Sequence, residues 1–197
     1  MLDLFLKGGP LMWPILICSL VSVTIILERY YYFYRLRDRV PNIFPRVKML
    51  LKDNREEEAV RLCEQDGGPV ARILAISIHI RHKASEEREK LISRAGSKIL
   101  RQMGKYLRAL AVIVNTATLL GLLGTVTGMI KAFMKIQELG GRVDASVLAG
   151  GIWEALITTA AGLFVAIPTM LFYHYFESKV DNIAAAMKEA ATEFLEG

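Results

Sequence analysis

The sequence predicts an all-α integral membrane protein with three transmembrane helices, a helical cytoplasmic region, and a long helix continuous with the second span. Three observations lead there. The chain has 197 residues, 53% of them hydrophobic, and a mean hydropathy of +0.32, which a soluble domain of this length rarely shows. Apolar runs at 11–27, 109–130 and 147–176 have the lengths of spans. Between the first two lies a basic stretch, residues 35–108, with 18 Lys/Arg against 10 Asp/Glu.

The elements follow in order. Residues 1–10 form a short N-terminus whose only basic side chain is Lys7. It lacks the basic n-region and small-residue cleavage site of a signal peptide, so the first apolar run is expected to be retained. That run, with Pro14 near its start, leads into Tyr30, Tyr31, Tyr32, Phe33 and Tyr34. These rings have the composition of an interfacial belt and extend the first helix over 11–34. The basic excess of 35–108 places that region in the cytoplasm, hence the N-terminus in the periplasm and the C-terminus inside. Within it, Asp53-Asn-Arg-Glu56 has the form of a capping box. Gly67-Gly68-Pro69 breaks the helix that follows, and 70–82 makes another. Ser85 is placed as an N-cap, with Glu86, Glu87 and Glu89 in the favourable first turn. No breaker follows, so one helix is expected from Ser85 through the second span (109–133) to about Met134. Residues 134–146 form a periplasmic loop. The third span, 147–176, at about 1.5 Å per residue exceeds the hydrocarbon thickness and must tilt or protrude. The tail, 177–197, is an amphipathic cytoplasmic helix with Ile183, Met187, Ala190, Ala191 and Phe194 on one side.

Glu154 breaks the third run. A carboxylate at mid-span costs about 2.5–3.5 kcal/mol on insertion scales. At 100° per residue it shares a sector about 140° wide with Gly151, Ala155, Thr158, Thr159, Gly162 and Ala166, opposite the bulky Ile152, Leu156, Leu163, Val165 and Ile167. On the second span, Thr118, Gly121, Thr125, Gly128 and Ala132 fall on one narrow face. Small residues on one face let membrane helices approach closely. These faces, unable to be buried within one protomer and also line a pore, predict a ring. A simpler reading makes Glu154 a snorkelling residue near the outer interface. Asn115 is expected to hydrogen-bond a neighbouring helix, Glu28 and Arg29 to pair locally, and Lys131 and Lys135 to snorkel outward.

Other chemistry is poorly supported. GLLGTVTG (121–128) lacks the Gly-Lys-Ser/Thr ending of a phosphate loop and lies in an apolar run. Cys18 and Cys63 sit in segments of different character, without zinc spacing. The three histidines show no ligand or triad spacing. The basic charges alternate with acids and are explained by topology, so no nucleic-acid partner is expected.

GLLGTVTGMIKAF (121–133) and IWEALITTAAGLFVAIP (152–168) resemble the ExbB/TolQ branch of the MotA/TolQ/ExbB proton-channel family. The rest matches that family in layout. The resemblance implies a pentamer in the bacterial inner membrane, with spans two and three around a central pore. The pore would hold a single-span ExbD/TolR-type partner bearing a membrane aspartate, with a TonB/TolA-type protein as a further partner. Carried over by motif, the proton pathway is Glu154, Thr125 and Thr159; the packing faces read above from the helical period hold Gly121, Gly128, Gly151 and Gly162. Two positions depart from the pattern: Thr118-Leu119 replaces a proline, and Trp153 replaces a small residue. The resemblance implies a non-enzymatic protein needing no cofactor and driven by the proton gradient. A carboxyl group in low dielectric favours its neutral form and can exchange protons, and each proton crossing 100 mV releases about 2.3 kcal/mol. The competing reading is a structural scaffold that clusters an envelope-spanning partner without conducting ions. A solute carrier is disfavoured, because no inverted repeat is present.

Overall fold

The computed structural model describes residues 8–36, 43–138 and 145–196. Lys7 and residues 139–144 of the expected 134–146 loop, Arg142 among them, lie outside the described residues; the two flanks of that loop, 134–138 and 145–146, are helical rather than loop. The described elements are helices: α1 (Met12–Leu36), α2 (Ile43–Lys52), α3 (Glu56–Asp66), α4 (Pro69–His79), α5 (Ser85–Met103), α6 (Leu107–Glu138) and α7 (Ala145–Glu196). Three of them, α1, α6 and α7, are long and apolar enough to cross a membrane. Their outward faces carry large exposed apolar side chains, among them Leu20, Leu119, Phe164 and Leu171. Such surface suits lipid or neighbouring helices rather than water.

The chain divides into two compact units, one of residues 1–27 and 106–174, the other of 28–105 and 175–197. In the first, α6 and α7 run antiparallel along a seam of small residues. On α6 the buried positions are Ala117, Gly121, Gly124, Gly128 and Ala132. On α7 they are Ala155, Thr158, Gly162 and Ala166. This alters the face read from sequence. Gly124 belongs to the seam, Thr118 is exposed, and Thr125 lies at the edge. It also removes one reason for a ring, because the two small faces bury one another within a single chain. Gly162 shows how close the approach is: a Cβ there would stand 2.6 Å from the Ala117 carbonyl oxygen and 3.0 Å from Gly121 Cα.

The second unit packs α2–α5 with the ends of α1 and α7. Val47, Ala59, Cys63, Ala71, Ile73 and Leu74 are almost wholly buried. Phe33 stacks on Phe176 at 5.6 Å between centroids. Beyond Phe176, α7 buries Ile183, Met187, Ala190 and Ala191 every three or four residues, the amphipathic period of a helix lying on a core. It does so without a break after the third span. Gly67 closes α3 in the left-handed conformation (φ 62°), its N–H donating to the Cys63 carbonyl, and Pro69 opens α4.

Three expectations fail here. The helix expected from Ser85 to Met134 is interrupted at Gly104–Tyr106, where Tyr106 takes φ 69°. A cause lies on α1. Buried Arg29 donates from Nη1 to the Met103 carbonyl at 3.1 Å. That places a cation at the C-terminal end of α5, where carbonyls lack partners. Arg29 also pairs with Glu28 and lies over the Tyr32 ring, 4.8 Å from its centroid. The capping box at Asp53 does not form: Asn54 is left-handed (φ 56°), and Arg55 precedes α3 without a side-chain cap. At α5 the cap position is Ala84, and Ser85 is already helical.

Candidate functional site

The site grows from the seam in the first unit. Glu154 lies on α7 one turn before Thr158, and its side chain is 26% exposed. Lys131, near the end of α6, reaches it: Nζ stands 2.5 Å from Oε1. The lysine expected to snorkel outward instead supplies a counter-charge. Gly9 packs against the Glu154 carboxylate. Its φ of +73° suits glycine, and a Cβ there would collide with the Glu154 carboxylate. The neighbouring Gly8 carbonyl accepts from Thr158 Oγ1 at 2.8 Å, an alternative to the Glu154 carbonyl at the same distance. A single hydroxyl proton serves one of the two at a time.

The threonines lie further along the seam. Thr159 Oγ1 donates across the helices to the Gly121 carbonyl at 2.7 Å. Thr125 Oγ1 donates to Leu122 of its own helix at 2.6 Å. Both hydroxyls therefore rest on consecutive α6 carbonyls and are partly exposed. The other glycines singled out by sequence oppose small residues. A Cβ on Gly128 would meet Ala155 Cβ at 2.8 Å, and one on Gly151 would meet Ala132 Cβ at 2.7 Å. Asn115 is exposed on α6.

The arrangement is thus a carboxylate and an ammonium at one end of an antiparallel helix pair, with hydroxyls along the pair. Backbone carbonyls hold those hydroxyls in place, so each keeps its oxygen lone pairs for water. Chemically this set can accept, hold and pass a proton. Sequence reasoning missed Lys131, Gly9 and the burial of Thr158. Lys131 carried a signal, since its charge complements the only acid in the facing span.

Residues 65–189 match the MotA/TolQ/ExbB proton channel family. The chain is 34% identical over 200 residues to the biopolymer transport protein ExbB-like 1 of Synechocystis sp., an alignment covering 96% of this chain and 77% of that protein. It is 31% identical over 186 residues to the biopolymer transport protein ExbB of Neisseria meningitidis, covering 87% and 84% respectively. An ExbB homologue of Methanothermobacter thermautotrophicus is 31% identical over 182 residues, covering 92% of this chain and 64% of that protein.

Proposed function

The chain belongs to the MotA/TolQ/ExbB proton channel family, and from that premise we propose that it is the proton-channel subunit of an ExbB/TolQ-type motor. In this reading it sits in the bacterial inner membrane as a ring, most simply a pentamer, around a single-span ExbD/TolR-type partner. The partner carries the work to the envelope through a TonB/TolA-type protein. The transmembrane proton gradient is the energy source, and no cofactor takes part.

The observation that carries the reading is Glu154. A carboxylate, partly buried, occupies the seam of two apolar helices beside Lys131, where an unpaired charge would be costly. With the N-terminus outside, this end of the helix pair faces the periplasm. Protons would be taken up at Glu154 and handed toward the cytoplasm past Thr159 and Thr125. Thr159 lies about 7 Å further along α7 at 1.5 Å per residue.

A specific observation also favours the scaffold reading. The Lys131–Glu154 pair ties α6 to α7, which is what a purely structural carboxylate would do. Glu154→Gln separates the two. It keeps size and hydrogen bonding but removes the exchangeable charge. In a strain lacking this protein, the variant should assemble with its partner, seen by pull-down, and fail to restore partner-dependent work. Full restoration would assign Glu154 to structure.

A further inference from the structure

We propose that a cavity in the second unit, ringed by Lys48, Lys52, Arg81 and Arg88, binds a small amphipathic anion: an apolar body bearing one carboxylate or phosphate. The cavity has a volume of about 410 Å³, within the range of small-molecule sites, which are mostly apolar with a few placed polar groups. Its floor is apolar. Val47 and Leu74 are each 1% exposed, and Phe44, Leu51 and Phe194 complete the wall.

Its charge is unbalanced. Four cations face one carboxylate, Glu193. Lys48 is matched by Glu193, and Arg81 by Glu56 on α3. Lys52 and Arg88 make no ion pair among the described residues. Lys52 is exposed to solvent; Arg88 is half-buried, and its Nε is buried without a hydrogen-bond partner. A buried donor left without a partner is destabilising. An acid oxygen in the cavity would satisfy it while the apolar floor takes the ligand's body. Because the lining comes from α2, α4, the turn between α4 and α5, α5 itself and the end of α7, an occupant would clamp the last turns of α7 onto the bundle.

Two chemically equivalent sources exist, a free acyl or alkyl anion and the headgroup of an anionic lipid, and the test separates them. Full-length protein in phosphatidylcholine nanodiscs is titrated calorimetrically with octyl phosphate and with octanoate, with empty nanodiscs as the blank. One saturable site per chain is expected for at least one anion, and none for octyltrimethylammonium. Arg88→Gln should weaken binding about tenfold or more, since a charge-assisted hydrogen bond is lost. Lys52→Gln, at an exposed position that folding does not need, should weaken it by a smaller factor. Phosphatidylglycerol in the nanodisc should compete if lipid is the source and leave the titration unchanged if a solute is. Equal binding of the cation, or unchanged affinity in Lys52→Gln, would overturn the proposal.

Discussion

Lys131 Nζ stands 2.5 Å from Glu154 Oε1, joining α6 to α7 at the end of the seam that Gly9 also reaches. The pair explains how a span tolerates a carboxylate, but not tightly: Lys131 is 53% exposed and Glu154 26%. At the periplasmic end, where the proposed topology puts the pair, water can reach it, and solvent-exposed pairs are worth about 0–1 kcal/mol. A double-mutant cycle of Lys131→Gln and Glu154→Gln, followed by thermal unfolding in detergent, should therefore give a coupling of about 1 kcal/mol or less. A coupling of several kcal/mol would mean a deeply buried pair with a structural task.

Function should rank the pair differently. Glu154→Ala should abolish partner-dependent work, and Glu154→Asp should retain part of it, because the carboxyl persists with one methylene less reach. Lys131→Gln should retain more work than either Glu154→Gln or Glu154→Ala, since the lysine holds the carboxylate but does not exchange protons in the proposed pathway. Complementation, with assembly checked by partner pull-down, gives the ranking. The reverse order would transfer the role to the ion pair.

The three threonines should separate stability from flux. Thr158 is 1% exposed and its hydroxyl is bonded to the Gly8 carbonyl or to that of Glu154. Thr158→Val should thus cost about 1 kcal/mol of stability, with little effect on work once assembled. Thr125→Val removes a partly exposed hydroxyl bonded only within its own helix, so it should slow work without a stability loss. Thr159→Val loses an interhelical bond and should do both. Unfolding midpoints set beside complementation rates test this; a slow but fully stable Thr158→Val variant would contradict it.

The seam predicts an unusual sensitivity to one methyl group. Gly162→Ala would set its Cβ 2.6 Å from the Ala117 carbonyl oxygen, and overpacking of this kind costs about 1–3 kcal/mol. Gly150→Ala meets nothing within 4 Å and should be silent. Thermal stability in detergent distinguishes them, and equal midpoints would undo the assigned seam.

What the sequence made legible follows from which forces are local. The three apolar runs and the face of α7 carrying Glu154, Thr158 and Gly162 could be read because hydropathy and the 3.6-residue period are properties of a single segment. The break at Gly104–Tyr106 could not, because a side chain 74 positions away, Arg29, takes the Met103 carbonyl. The same holds for Lys131, whose role appears only once α6 and α7 are placed antiparallel. The capping box at Asp53 failed for a related reason. The chain turns at left-handed Asn54 between α2 and α3, where packing rather than the cap sets the entry to α3.

Cys63 gives a prediction outside the membrane helices. It is 1% exposed, and burial, with smaller contributions from Asp66 and Glu64, pushes its thiol up to about 11 from the ordinary 9.0. Burial disfavours the thiolate, and both carboxylates repel it, so all three act in the same direction. Because the thiolate is the nucleophile, a shift from 9.0 to about 11 leaves roughly a hundredfold less of it at pH 8. Maleimide should therefore label Cys63 in the folded protein at least about a hundredfold more slowly than a model thiol. The rate should keep rising with pH beyond 9, where a free cysteine levels off. In denaturant both differences should vanish. Variants with Cys18 replaced by Ser isolate the site, and labelling is followed by mass. Rapid modification of folded protein at pH 8 would show that Cys63 is neither buried nor held protonated.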